Sequence, residues 1–169
     1  FLYFFSFKGL ILYLITLVFV KSLHELGHAF VSKYFGCRVS SIGIAFLVFF
    51  PFLYTDTSDA WRLRDHKDRL LINFAGILTE LHLALISTFL WAILPDGGLK
   101  SVAFFIATTS WISSLAINVS PFMRFDGYYV FSDWLKAENL QPRSFALARW
   151  QLREILFGFN HPPPEDLNP

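Results

Sequence analysis

From Gly9 to about Phe35 the chain is almost continuously apolar, interrupted only by Lys21 and by His24, Glu25 and His28. About 20 apolar residues cross a ~30 Å hydrocarbon layer, and inside that layer every backbone polar group must be satisfied within the segment. Such a run predicts a membrane-spanning helix. Two more apolar runs follow, from about Leu70 to Leu94, closed by the turn signal "PDGG", and from Ser101 to about Ile117. With 54% hydrophobic and 16% charged residues, the composition agrees with an all-α polytopic membrane protein. A net charge of +1 gives no field suited to nucleic acid, and the single cysteine, Cys37, excludes an internal disulfide. The opening "FLYFFSFKG" lacks a signal-peptide pattern, and the one methionine is Met123, which reads as a piece of a longer chain.

Between the first two spans, "CRVSSIGIAFLVFFPFLYTDT" is rich in β-branched and aromatic residues but too short to cross. A strand or re-entrant hairpin at the membrane surface fits it. "DAWRLRDHKDRL" then predicts a basic interfacial helix carrying Trp61. After span three, "NVSPFMRFDG" breaks the helix at Pro121 and Gly127, and "YYVFSDWLK" predicts a shorter one. "QPRSFALARWQLREILFGF" alternates Arg143, Arg149 and Arg153 with apolar residues, as a helix on a membrane face does, and "NHPPPEDLNP" is a Pro-rich tail. Basic residues cluster between spans one and two and after span three, whereas only Lys8 and Lys100 lie on the other side. The positive-inside rule places residues 36 to 69 and the C-terminal part in the cytoplasm.

His24 and His28, four residues apart, project from one helix face at a spacing that lets both bind one ion. Glu25 is turned ~100° away, beside the ion, where a general base takes a proton from water. Burying two imidazoles and a carboxylate at membrane depth is costly unless they pair or bind something. A catalytic zinc needs a third protein ligand, for which Asp126, Glu80, His82, Asp133 and Cys37 are candidates. At 1.5 Å per residue, His24 and His28 lie ~22 to 28 Å from Gly9, and the break at Asn118 lies ~26 Å from Ser101. That matched depth favours Asp126, in a "FDG" turn where freed backbone lines a polar cavity.

"HELGHA" on a first span, with "NVSPFMRFDG" after a later one, resembles the site-2 protease family of intramembrane zinc metalloproteases (peptidase M50-like). The resemblance covers roughly residues 9 to 136. It implies one Zn2+ per chain held by His24, His28 and Asp126, Glu25 as catalytic base, and Asn118 as a group that helps hold substrate. "FDGYYVFSDWLKAENLQPR" and "TDTSDAWRLRDHKDRLLINFAGILTEL" resemble the bacterial branch of peptide zinc metalloproteases tied to peptide maturation or export. Arg124 and Phe125 stand where many relatives have a small or different apolar pair, which alters access near Asp126.

The expected organisation is a three-transmembrane-helix metalloprotease core at residues 1–136, an interfacial amphipathic helix at 137–159 and a Pro-rich tail or linker at 160–169. The expected activity is hydrolysis of peptide bonds in or near the membrane, with a cytoplasm-facing site in a bacterial inner membrane. Expected partners are a membrane-associated peptide or protein substrate, the lipid bilayer, and peptide-export components or flanking domains of a longer chain. Residues 41 to 53 offer an edge to which an unwound substrate can pair as a strand. Asn73, Gly76 and Glu80 share one stripe of span two, open to helix packing or to a supporting role at the site. His82 reads as structural, His66 and His161 as solvated, and Cys37 as inert. The alternative is a zinc-bearing scaffold or partner subunit without proteolysis, against which the intact Glu25 argues.

Overall fold

The structure is a computed structural model, described here for residues 6–47, 50–120, 123–137, 139–159 and 161–164. Among these, three helices are long and apolar enough to cross a membrane. The first, α1, is Phe7–Tyr34. Ser6 caps it by accepting from the Gly9 N–H at 3.1 Å. It ends where Gly36 takes φ +75°, a left-handed conformation suited to glycine. A hairpin follows, β1 Ile42–Leu47 against β2 Phe50–Thr55, antiparallel with Ile42 opposite Thr55 and Leu47 opposite Phe50. The expected short β element is therefore a hairpin. Its second strand packs against α1, and the Thr55 hydroxyl donates to the Glu25 carbonyl at 3.0 Å.

The basic stretch expected as one interfacial helix is divided. Ser58–Arg62 forms a 3₁₀ turn, and the second span, α2, starts at His66 and runs His66–Ile93. Asp65 accounts for the division, because its carboxylate accepts from the Lys67 N–H at 2.9 Å and caps a new helix there. Asp59 ties the turn down by accepting from the Arg38 N–H at 2.8 Å and from Arg62 at 3.1 Å. Under this end of the molecule Cys37, Ala60 and Ile72 form a small buried cluster with Val31, Phe35 and Leu63.

The short connection after α2 forces antiparallel packing of α3, Gly98–Ile112. Small side chains allow close approach: Ala84, Ala103 and Ala107 are buried, and Gly27 of α1 lies against Thr79 and the Ala75 carbonyl of α2. Large apolar residues such as Phe19, Phe30, Ile86, Phe89 and Ile112 point outward, as lipid contact requires. The chain is an integral membrane protein.

Span three does not stay α-helical. From Ser113 to Asn118 it widens into a π-helix, with the Val119 N–H donating to the Ser114 carbonyl at 2.9 Å. Pro121, expected to break this span, lies outside the described residues. Helix α4, Asp126–Trp134, begins where Gly127 lies on the Asn118–Val119 backbone, so close that a Cβ would meet the Val119 carbonyl carbon at 2.6 Å. Asn73 donates to Asp133 at 2.8 Å and Arg69 pairs with it at 3.6 Å, which fixes α4 against α2. Helix α5, Leu140–Phe157, buries no side chain and is joined to α4 through the Gln141 N–H donating to the Tyr128 hydroxyl at 3.1 Å.

Candidate metal centre

The packing of α1, α2 and α4 brings His24, His28 and Asp126 to one point, with one potential ligand atom of each within 4.8 Å of the others. Asp126 Oδ2 lies 2.8 Å from His24 Nε2 and 3.3 Å from His28 Nε2, and the two Nε2 atoms are 3.2 Å apart. Tetrahedral zinc with bonds of ~2.0 to 2.1 Å sets its donor atoms about 3.3 Å apart, so the spacing suits such an ion.

Hydrogen bonding behind the rings sets what faces inward. His28 Nδ1 is 2.8 Å from the Ile72 carbonyl, which only accepts, so Nδ1 carries the proton. His24 Nδ1 faces a carboxylate oxygen of Glu80 at 3.0 Å, with the same consequence. In the neutral rings both Nε2 atoms then present lone pairs toward the buried Asp126 Oδ2. Three electron-rich atoms converging on one point call for a cation, and two imidazoles with one carboxylate are a zinc-type donor set. If the rings are protonated instead, as without an ion, their N–H groups and charge outweigh the effect of burial and hold the Asp126 carboxyl well below the usual carboxylate range. Gly76 completes the cradle: a Cβ there would run into His24 and His28 Nε2.

Glu25 and the metal-facing residues His28 and Asp126 line one open cavity of about 580 Å³, bounded also by Leu53 to Ser58 of the hairpin end and by Tyr129 of α4. Its walls are largely polar, which suits water and a peptide backbone. Asn118, expected at the substrate, is 3% exposed and is not among the cavity-lining residues; its amide donates to Glu80 at 2.8 Å.

The other candidates lie elsewhere. Asp133 is engaged by Asn73 and Arg69. His82 is exposed, with Nδ1 on the Leu78 carbonyl of its own helix at 2.7 Å. Cys37 is buried in the cluster near Ala60, and His66 and His161 are exposed. Glu80 and Gly76 are the residues whose contacts the sequence left open. Their position on the stripe with Asn73 was the available signal, and it names a face without naming a partner.

No solved structure matches the chain. Among curated proteins, a Bacillus subtilis (strain 168) protein named "Putative peptide zinc metalloprotease protein YydH" is 24% identical over 137 residues, covering 80% of this chain and 52% of that protein. The chain thus spans about half the length of the curated relative it matches. The model of Peptidase family M50 matches residues 10–96, a segment that contains His24, Glu25 and His28 and stops short of Asn118 and Asp126. Because that match covers just over half of the chain, the chain belongs to peptidase family M50, the site-2 protease-like metallopeptidases.

Proposed function

We propose that the chain is the core of an intramembrane zinc metalloprotease that cleaves membrane-associated peptides or proteins. The observation that carries this reading is the convergence of His24, His28 and Asp126, the last two of which line the same cavity as Glu25. His24, His28 and Asp126 hold one zinc ion. Bound there, zinc supplies Lewis-acid polarisation of a peptide carbonyl and acidifies a water molecule. Glu25, off the ligand face, takes a proton from the attacking water and returns it to the leaving amine. The hairpin end, joined to the Glu25 carbonyl through Thr55, supports an unwound peptide across the cavity. The basic-residue distribution supports a cytoplasm-facing site in a bacterial inner membrane, with α5 lying on the membrane face. The name of the Bacillus relative supports a peptide substrate.

The test is a paired measurement on detergent-purified parent and Glu25→Gln. Glutamine keeps size and hydrogen bonding but cannot accept the proton, so zinc stays near one per chain. Peptide cleavage falls by at least ~10² to 10⁴-fold. Equal cleavage by both proteins refutes Glu25 as the base, and a parent that binds zinc without cleaving any membrane peptide supports the scaffold reading instead.

A further inference from the structure

Glu80 is a carboxylate with 0% exposure inside a membrane-spanning helix bundle. Such a group is costly unless fully partnered, and replacing a buried ion pair by apolar side chains is often neutral or stabilising. Helix packing therefore does not by itself call for it. Its partners come from the two other spans. Oε1 accepts from Lys21 of α1 at 2.9 Å, lies 3.0 Å from His24 Nδ1, and accepts from Ser113 of the π segment at 3.2 Å. Oε2 accepts from the Asn118 side-chain amide Nδ2 at 2.8 Å, and Asn118 Oδ1 accepts from Lys21 Nζ at 3.4 Å.

The geometry points to Glu80 as a positioning residue for His24, held in place by Lys21 and Asn118. This rests on the zinc reading above. His28 is oriented by a backbone carbonyl of a rigid helix. His24 has no such carbonyl and depends on a side chain, which must itself be fixed. Lys21, Ser113 and Asn118 fix it by hydrogen bonding to both carboxylate oxygens. The π turn is part of the device, since π segments are frequent at functional sites and this one delivers Ser113 and Asn118 together to Glu80. Lys21 also cancels the charge of Glu80, so the brace orients the ligand without adding net negative charge behind it. A carboxylate on the outer nitrogen fixes the tautomer and orientation of a ligating imidazole and raises its basicity.

The test compares the parent, Glu80→Gln and the double variant Lys21→Met/Glu80→Gln, each purified in detergent. Zinc affinity is measured by chelator competition, the ligand field by absorption of the cobalt-substituted protein, and stability by thermal melting. Glu80→Gln is expected to weaken zinc binding ~10- to 100-fold and to alter the cobalt spectrum. The double variant removes the stranded ammonium, so melting recovers toward the parent while the zinc affinity stays low. If either variant keeps the parental affinity and cobalt spectrum, and only melting changes, Glu80 is a packing residue and the inference is overturned. A parent that binds no zinc overturns the metal reading itself, which separates the two failures.

Discussion

Gly76→Ala tests the construction of the centre with a single methyl group. A Cβ at this position would come within 3.0 Å of His24 Cε1 and of both Nε2 atoms. Nonbonded heavy atoms settle near 3.5 to 4.0 Å, so the rings must withdraw by about 1 Å or α1 and α2 must part by a similar amount. The rings have little freedom to pivot, since each Nδ1 is already engaged by Glu80 or by the Ile72 carbonyl. Overpacking of this kind costs about 1 to 3 kcal/mol, while alanine regains roughly 0.5 to 1 kcal/mol over glycine in a helix. The net loss is roughly 0 to 2.5 kcal/mol, so a folded protein is expected. A ~1 Å misplacement at a reacting centre costs on the order of 10²-fold in rate. Zinc affinity by chelator competition and cleavage of a membrane peptide should both fall, cleavage by ~10²-fold or more, with helical circular dichroism unchanged. Gly27→Ala is the control, because its Cβ crowds Thr79 and the Ala75 carbonyl in the same helix pair without meeting a ring nitrogen. Parental zinc affinity and cleavage in Gly76→Ala, or an equal metal loss in Gly27→Ala, would refute the reasoning.

Asp126→Ala should weaken zinc binding by more than the ~10- to 100-fold expected for a supporting residue, whereas Asp133→Ala and His82→Ala should leave metal content near the parental value. Metal analysis of the three variants decides it, and metal loss in His82→Ala alone would overturn the assignment. Ile44→Pro, opposite Leu53 in the hairpin, should lower peptide cleavage with zinc content unchanged, because it removes a backbone donor; undiminished cleavage removes the hairpin from substrate binding. Cysteines introduced at Asp65 and Gly97 should label from opposite sides of the membrane in intact cells, with Gly97 reached from outside; equal labelling from outside refutes the orientation. In the same assay Cys37 should stay silent, since it is buried and its burial pushes the thiol pKa up.

Much of this arrangement is legible in the residue order. Three apolar runs, the four-residue spacing of His24 and His28, and the depth of the break before Asp126 lead to the helices and to the three side chains that could together hold a metal ion. The rest depends on partners that a single chain order does not name. Asn73, Gly76 and Glu80 lie on one stripe, yet they serve three ends: a bond to Asp133, room for the His24 and His28 rings, and a bond to His24. Periodicity gives a face, and only tertiary packing says what each position on it meets. The π segment gives no periodic signal because it is set by interhelical contacts at Ser113 and Asn118. The divided basic stretch has a local cause that amphipathic pattern conceals: Asp65 competes to cap a helix where the charge pattern alone would continue one.

The wide separation of the ligands along the chain has a consequence for biosynthesis. His24 and His28 enter the membrane on the first helix, but Asp126 is about a hundred residues further on. At translation rates of ~5 to 20 residues per second, the histidine pair waits roughly 5 to 20 seconds for its carboxylate. During that interval Gly76 and Glu80 are made before Asn118, and Asn118 before α4. A chain stalled before α4 therefore holds the histidine pair and Glu25 without Asp126, so under the proposed function the centre is complete only once α4 has been made.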